Sequence, residues 1–198
     1  MWIASLLLSI SSASMSNRPS SRRITFEGFV REDGLFDIDA ELIDSKSESI
    51  HMHERGDLPP GGAIHHMRVR VTVDDALTIR AIQTAMDAAP FGYCQNAVDP
   101  VQKLVGATLG AGWRKAIEGA IGGVAGCTHL RELLFNLATA AFQTIPMYVS
   151  KQREGRGEKR DPDAPAPYFL GKCMSWDREG PVVQRWLPMY YRRPPPTS

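Results

Sequence analysis

The chain is short of net charge, of cysteine and of long apolar runs, and each shortage excludes a class of protein. Its 198 residues carry 23 Lys and Arg against 22 Asp and Glu, a formal balance of +1. A nucleic-acid binder concentrates positive charge to neutralise phosphates, and a balance this near zero lacks that footprint. No apolar run approaches the ~20 residues that a membrane-spanning helix needs. Neither nucleic acid nor membrane is therefore expected as a partner. The three cysteines, Cys94, Cys127 and Cys173, are odd in number and widely spaced, which excludes the stapled framework of a small secreted domain. They suit a reducing, cytoplasmic compartment, where a thiol is either a small buried hydrophobe or a reactive group and ligand. Common motifs are missing as well. There is no Gly-Lys-Ser/Thr phosphate loop, no strand-to-helix dinucleotide fingerprint, no Gly-x-Ser-x-Gly and no Cys-x-x-Cys knuckle. That excludes the commonest NTPases, dehydrogenases, serine esterases and zinc fingers.

What is present suits one domain, or one domain with tails, long enough to bury a core without disulfides. The apolar stretch Trp2 to Ile10, followed by Ser12-Ala13-Ser14, is signal-like but lacks a positively charged n-region. Met15 reads as the initiator, and residues 1–22 as a disordered or over-extended start. Residues 23–150 form the expected core. From 151 to 167 the chain turns to Arg, Lys, Glu, Gly, Asp and Pro, a flexible loop with too few apolar residues to pack. Its basic residues Arg153, Arg156, Lys159 and Arg160 alternate with Glu154, Glu158 and Asp161, so it reads as solvated and not as a phosphate patch. Residues 168–198 read as an extension packed on the core, with Val182-Val183 and Trp186-Leu187 as a strand or docked segment.

Periodicity gives the elements of the core. Ile24 to Val30 favours a strand, and Asp33-Gly34 signals a hairpin turn. Phe36, Ile38, Ala40 and Leu42 alternate with Asp37, Asp39 and Glu41; Met67, Val69, Val71 and Val73 alternate with Arg68, Arg70, Thr72 and Asp74. Leu77 to Thr84 is the expected partner strand after a break at Asp75-Ala76. Asp99-Pro100 opens a short helix with Val101, Leu104 and Val105 as its stripe. A second helix carries Trp113, Ile117 and Ile121 and stops at Gly122-Gly123. A third starts near Thr128, carries Leu130, Leu133, Leu134, Leu137, Ala138 and Ala141 on one face, and is expected to end before Pro146. Strands first and helices afterwards predict an α+β fold: an antiparallel meander with helices on one face.

The residues that carry chemistry stand at element ends. His65-His66 precede a strand, Cys94 follows the next one, and Cys127 and His129 open the third helix. In such a meander these ends can meet. A helix N-terminus favours an anion, so a thiolate at Cys127 is expected there, with His129 as imidazolium partner, base or ligand. Packing alone is the competing account of Cys94, and strand-edge polarity that of His65 and His66. His51 and His53 lie in a polar, flexible-looking loop and are set aside as ligands, and Cys173 is open to either role. Asp87, set among apolar residues near Cys94, is a candidate acid. Arg68 and Arg70 share a strand face and suit a carboxylate or phosphate, or a pairing with Asp37 and Asp39.

The run Gly62 to Arg70, the block Asp87-Ala88-Ala89-Pro90 and the block Gly126-Cys127-Thr128-His129-Leu130 to Leu134 resemble the bacterial domain-of-unknown-function family 2889. Arg31 to Gly34 and Cys173 to Tyr191 extend the likeness to nearly the whole chain. The segment Ala63 to Ile145 also resembles the iron–sulfur scaffold proteins of the NifU type and their sulfur-acceptor relatives. On that likeness Cys94 falls near their loop cysteine, Gly106 to Leu109 near their Gly-Lys-Thr/Ser-Leu turn, and Cys127 at the cysteine opening the last helix. Their first cysteine has no counterpart around Ala63 to His65, and Gly126 stands where their histidine stands.

Two functions follow. In the first, Cys127 is a nucleophile with His129 or His65 as base and Asp87 as acid. The first family resemblance implies aromatic and acyl-CoA catabolism, hence thioester hydrolysis, with the substrate's CoA phosphates on Arg68 and Arg70. In the second, His65, Cys94, Cys127 and His129 bind zinc or an iron–sulfur cluster, ligands softer than magnesium or calcium prefer.

Overall fold

The computed structural model describes residues 18–158, 166–167 and 169–193. Met15, the signal-like stretch before it, Lys159, Arg160 and the terminal prolines lie outside them. The chain divides into two compact units, Met1–Gln152 and Arg153–Ser198.

The first unit is built on the predicted alternation. Strands β1 (Ser20–Val30), β2 (Phe36–Lys46), β5 (Ala63–Val73) and β6 (Ile79–Ala88) form an antiparallel sheet in the order β1-β2-β5-β6. Gly34 closes the first hairpin with φ 81°, a left-handed backbone that glycine adopts without steric cost. β6 starts two residues later than the periodicity suggests, because Leu77 takes φ 64° in the turn between Asp74 and Thr78. Residues 50–58 form a second hairpin where the sequence looks like flexible loop: β3 (Ile50–Met52) pairs with β4 (Gly56–Leu58). Met52 is buried there, and Arg55 donates to the Ala63 and Ile64 carbonyls.

Period-two alternation gives the sheet two different faces. Phe36, Ile38, Ala40 and Leu42 pair across with Val73, Val71, Val69 and Met67, and all eight are buried. With Ile79, Ile82 and Met86 they form one core with α1 (Trp113–Ile121) and α2 (Thr128–Gly155). The indole of Trp113 on α1 donates to the Leu134 carbonyl on α2 at 2.8 Å, joining the helices inside the core. The odd residues of β2 and the even residues of β5 turn outward to an open, charged face.

Two helical expectations change. Asp99–Leu104 is a 3-10 helix that buries Val101 and Leu104 and leaves Val105 exposed. α2 does not stop at Pro146 but continues to Gly155. A proline inside a helix has no N–H for the carbonyl four residues back, and packing on both sides of it outweighs that loss. Ile145 is buried, and Tyr148 sets its ring edge-on to Phe36, centroids 5.8 Å apart. In the second unit Pro181 opens a short helix, α3 (Pro181–Trp186), in place of a strand, and Val183 is buried. No helix among the described residues is long and apolar enough to cross a membrane.

Gly28, on the core side of β1, lets α2 approach the edge strand, since a Cβ there would overlap the Thr144 side chain. Gly28→Ala is expected to destabilise the protein by about 1–3 kcal/mol, the usual range for overpacking. Thr144→Ala in the same chain should recover part of that loss, as read from urea midpoints of the two single variants and the double.

Candidate functional site

The core parity of three strands does not remain apolar to its end. Beyond Leu42, β2 places Asp44 on the helix-facing side; before Met67, β5 places His65 there, and the two are register partners. Arg22 of β1 pairs with Asp44 from the other side. The sheet thus delivers a cation, a carboxylate and an imidazole in one row. A bulge follows at Asp44/Ser45 and ends the regular pairing.

α2 brings the fourth group. Gly126 joins it to α1 at a close approach, because a Cβ at Gly126 would meet the Ile121 side chain and carbonyl. Cys127 follows, its carbonyl accepting from Arg131 N–H at 3.0 Å. His129 lies in the first turn of the helix and points at the same carboxylate. Asp44 Oδ2 is 3.1 Å from His65 Nδ1 and 3.5 Å from His129 Nε2. The two imidazoles stack with centroids 3.9 Å apart, tilted by 34°. Side-chain exposures of 15% for Asp44, 18% for His65 and 21% for His129 leave the group reachable from solvent. On its far side His129 Nδ1 is 3.8 Å from Cys127 Sγ.

Arg22 holds the carboxylate in place. Its Nε and Nη2 donate to the two Asp44 oxygens at 2.7 and 2.8 Å, and its Nη1 donates to Glu132 at 2.6 Å. Glu132 stands one turn beyond His129 on α2. Burial alone would push the Asp44 carboxyl up. The Arg22 hydrogen bond and charge, helped by the two histidines, overcome it and hold Asp44 below the ordinary carboxylate value. Burial is also the main cause that pulls His65 below the ordinary histidine value, with Asp44 pulling the other way. His129 is lowered first by burial, then by the charges of His65 and Arg22. Both shifts favour the neutral ring, the form that keeps a nitrogen lone pair.

Asp44, His65 and His129 offer one ligand atom each within 4.8 Å of one another, the one such group of three among the described residues. Two donors of a tetrahedral site with bonds of ~2.1 Å stand about 3.4 Å apart. The 3.1 and 3.5 Å separations from Asp44 Oδ2 to the ring nitrogens bracket that spacing.

The other expected site residues fall elsewhere. Asp87 is turned by the β6 alternation to the open face, where Arg68 binds it through two nitrogens at 2.7 and 3.0 Å. Arg70 forks onto Asp39 at 2.6 Å through both its bonds, one of the pairings that the sequence left open. His66 sits on the same face, 2.7 Å from Glu41. Cys94 lies in a 3-10 helix, Gly92–Ala97, half-buried against the apolar core. His51 bonds Asp57 across the small hairpin at 2.7 Å, and Cys173 is exposed in the second unit. A concavity of about 450 Å³ opens on the charged face, lined by Glu27, Asp39, Glu41, Arg68, Arg70 and Gln83. Its two arginines are already neutralised by carboxylates, so it presents no free cation to an anionic ligand.

Sequence reasoning did not single out Asp44, Arg22 or Glu132. A signal existed for two of them: Asp44 continues the even, core-facing series of β2, and Arg22 that of β1. A polar residue at a core parity asks for a partner.

Among known proteins, a family model described as "Protein of unknown function (DUF2889)" matches residues 20–143, more than half of the chain and all of the group around Asp44. No curated protein and no solved structure matches the chain.

The charges around the rings have opposite effects on them. Arg22→Gln removes a neighbouring cation and should raise the pKa of both histidines. Asp44→Asn removes the neighbouring anion and should lower both further. Titration of the imidazole Cε1–H resonances by NMR reads the two signs directly.

Proposed function

The chain belongs to the DUF2889 family of unknown function, and we propose that it is a metalloprotein with a single divalent ion held by Asp44, His65 and His129. The observation that supports this reading is the convergence of two imidazoles and one carboxylate within 4.8 Å, from elements far apart in sequence. Imidazole nitrogen favours zinc or ferrous iron, and the carboxylate oxygen is compatible with either. An iron–sulfur cluster is a poorer fit, because clusters are held by several thiolates. Cys127 is the thiol that touches a member of the group.

The surrounding residues have definable roles in this reading. Arg22 fixes the Asp44 carboxylate and Glu132 fixes Arg22. The group sets two carboxylates, Asp44 and Glu132, against the single guanidinium of Arg22, surroundings in which a divalent cation is favoured. Cys127 faces the outer nitrogen of His129 and favours one tautomer and ring orientation, as outer-shell partners of metal-bound histidines do. Three protein donors, as against four in closed structural sites, leave a position for water or substrate. A bound ion would supply Lewis-acid polarisation and activation of that water at neutral pH. Hydrolysis is therefore the reaction class that fits, and CoA thioesters, suggested by the family resemblance, are the first substrates to assay. Arg68 and Arg70 do not help there, since each is already paired with a carboxylate on the other face of the sheet.

A second reading has its own observation. Cys127 Sγ, His129 and Asp44 stand in a row at 3.8 and 3.5 Å, the order of nucleophile, base and orienting carboxylate in acyl transfer.

Titrating chelator-treated protein with Co²⁺ and following the ligand-field absorption separates the two. One equivalent should bind, His65→Ala and His129→Ala should each abolish binding at micromolar ion, and Cys127→Ala should weaken it by about 10–100-fold, as for outer-shell residues. Binding that survives His65→Ala together with His129→Ala overturns the metal reading. Thioester turnover that persists without metal and vanishes in Cys127→Ala favours the thiol reading instead.

A further inference from the structure

β1 ends the sheet on one side, and no strand among the described residues lies beyond it. It is eleven residues long, with no bulge against β2. Long regular edges of this kind are templates for pairing, and proteins that stay single blunt them with bulges, prolines or inward charges. β1 has no proline between Ser20 and Val30, and its inward charge, Arg22, is taken up by Asp44 and Glu132 of its own chain.

The hydrogen-bond phase of this edge is fixed. Pro19 accepts from Ser47 N–H at one end of the hairpin, and Arg31 N–H donates to Leu35 at the other. Bonding between β1 and β2 therefore runs through odd residues of β1. The even residues, Arg22, Ile24, Phe26 and Gly28, direct their N–H and C=O groups outward. The midpoint of Ser20–Val30 is Thr25. If a second copy pairs antiparallel about Thr25, all eleven residues of both strands are matched, and Ile24 meets Phe26 as an outward-bonding pair.

The side chains fit the same register. On the open face Arg23 and Glu27 stand symmetrically about Thr25, both exposed, and neither has a side-chain partner among the described residues. In the register about Thr25 each Arg23 faces Glu27 of the other copy, giving two opposite-charge cross-strand pairs. A shift of the symmetry axis by one residue either way loses both. These are pairs in which strands do not exchange hydrogen bonds, so their side chains approach most closely.

We propose that β1 is a homodimer interface: two copies pair antiparallel about Thr25, joining their sheets into one of eight strands, with Arg23 and Glu27 fixing the register. The interface is isologous, as a two-fold dimer requires, and it is independent of the metal reading.

Light scattering after size exclusion, over a range of concentration, should give a dimer mass. Arg23→Glu and Glu27→Arg, neither at the metal group, should each weaken the dimer at least tenfold through two like-charge pairs. The double variant Arg23→Glu with Glu27→Arg should restore it. Thr25→Cys should form an intermolecular 25–25 disulfide under mild oxidation, mapped by mass spectrometry. Glu27→Cys should cross-link far more slowly, since the two copies of that position are separated by four residues along the strands. A monomer at all concentrations overturns the proposal, as does equal cross-linking at 25 and 27. A chain that dimerises only after removal of residues 1–17 also overturns it, and assigns the edge to that segment.

Discussion

The register between β2 and β5 is the constraint on which the rest of this protein depends. Side chains alternate along a strand, so a slip by one residue exchanges the faces of the whole strand. In the observed register Leu42 and Met67 bury their side chains, and Asp44 and His65, one step further along the same parity, meet on the same side of the sheet. Core and polar group are thus specified together. The apolar residues pull the strands into one alignment, and the polar pair arrives as a consequence.

That pair is tolerable because its charges are matched. A half-buried carboxylate without a partner would be costly. Arg22 supplies a forked hydrogen bond, and Glu132 in turn engages the remaining Arg22 nitrogen. The result is a chain of charges running from α2 through β1 to β2, with the two imidazoles set against its central carboxylate. Such a network holds the rings in place before any ligand arrives, which lowers the ordering cost of binding.

The opposite face of the sheet uses charge differently. Arg68 with Asp87, Arg70 with Asp39 and His66 with Glu41 form cross-strand pairs that largely satisfy one another. Exposed pairs of this kind add little stability each, but they leave the face with few unpaired charges. Among the described residues, Arg23 and Glu27, the charges of this face without a side-chain partner, are at its edge, on β1. The functional candidates therefore lie on the helix side and at the rim, where Thr25 and Glu27 also border the concavity of the charged face.

Much of this was written in the sequence. A β-favouring run located β1, alternation located β2 and β5, the i, i+4 spacing located α1, and element ends marked His65, Cys127 and His129. The helix beyond Pro146 was not legible, because what carries it is packing of Ile145 and Tyr148 on distant residues. Nor was the hairpin of residues 50–58, whose strands are three residues each, too short for a period to show. Asp87, Arg68 and Arg70 looked functional because their neighbours in sequence are apolar or their charges share a strand. Pairing across the sheet turned those charges onto each other. The sequence by itself determined the fold class and two histidines of the site, since both are set by local periodicity and residue type. Only tertiary structure decided that Asp44, Arg22 and Glu132 join them, because a strand register and a helix start more than sixty residues further along the chain must meet before one carboxylate oxygen can face two rings.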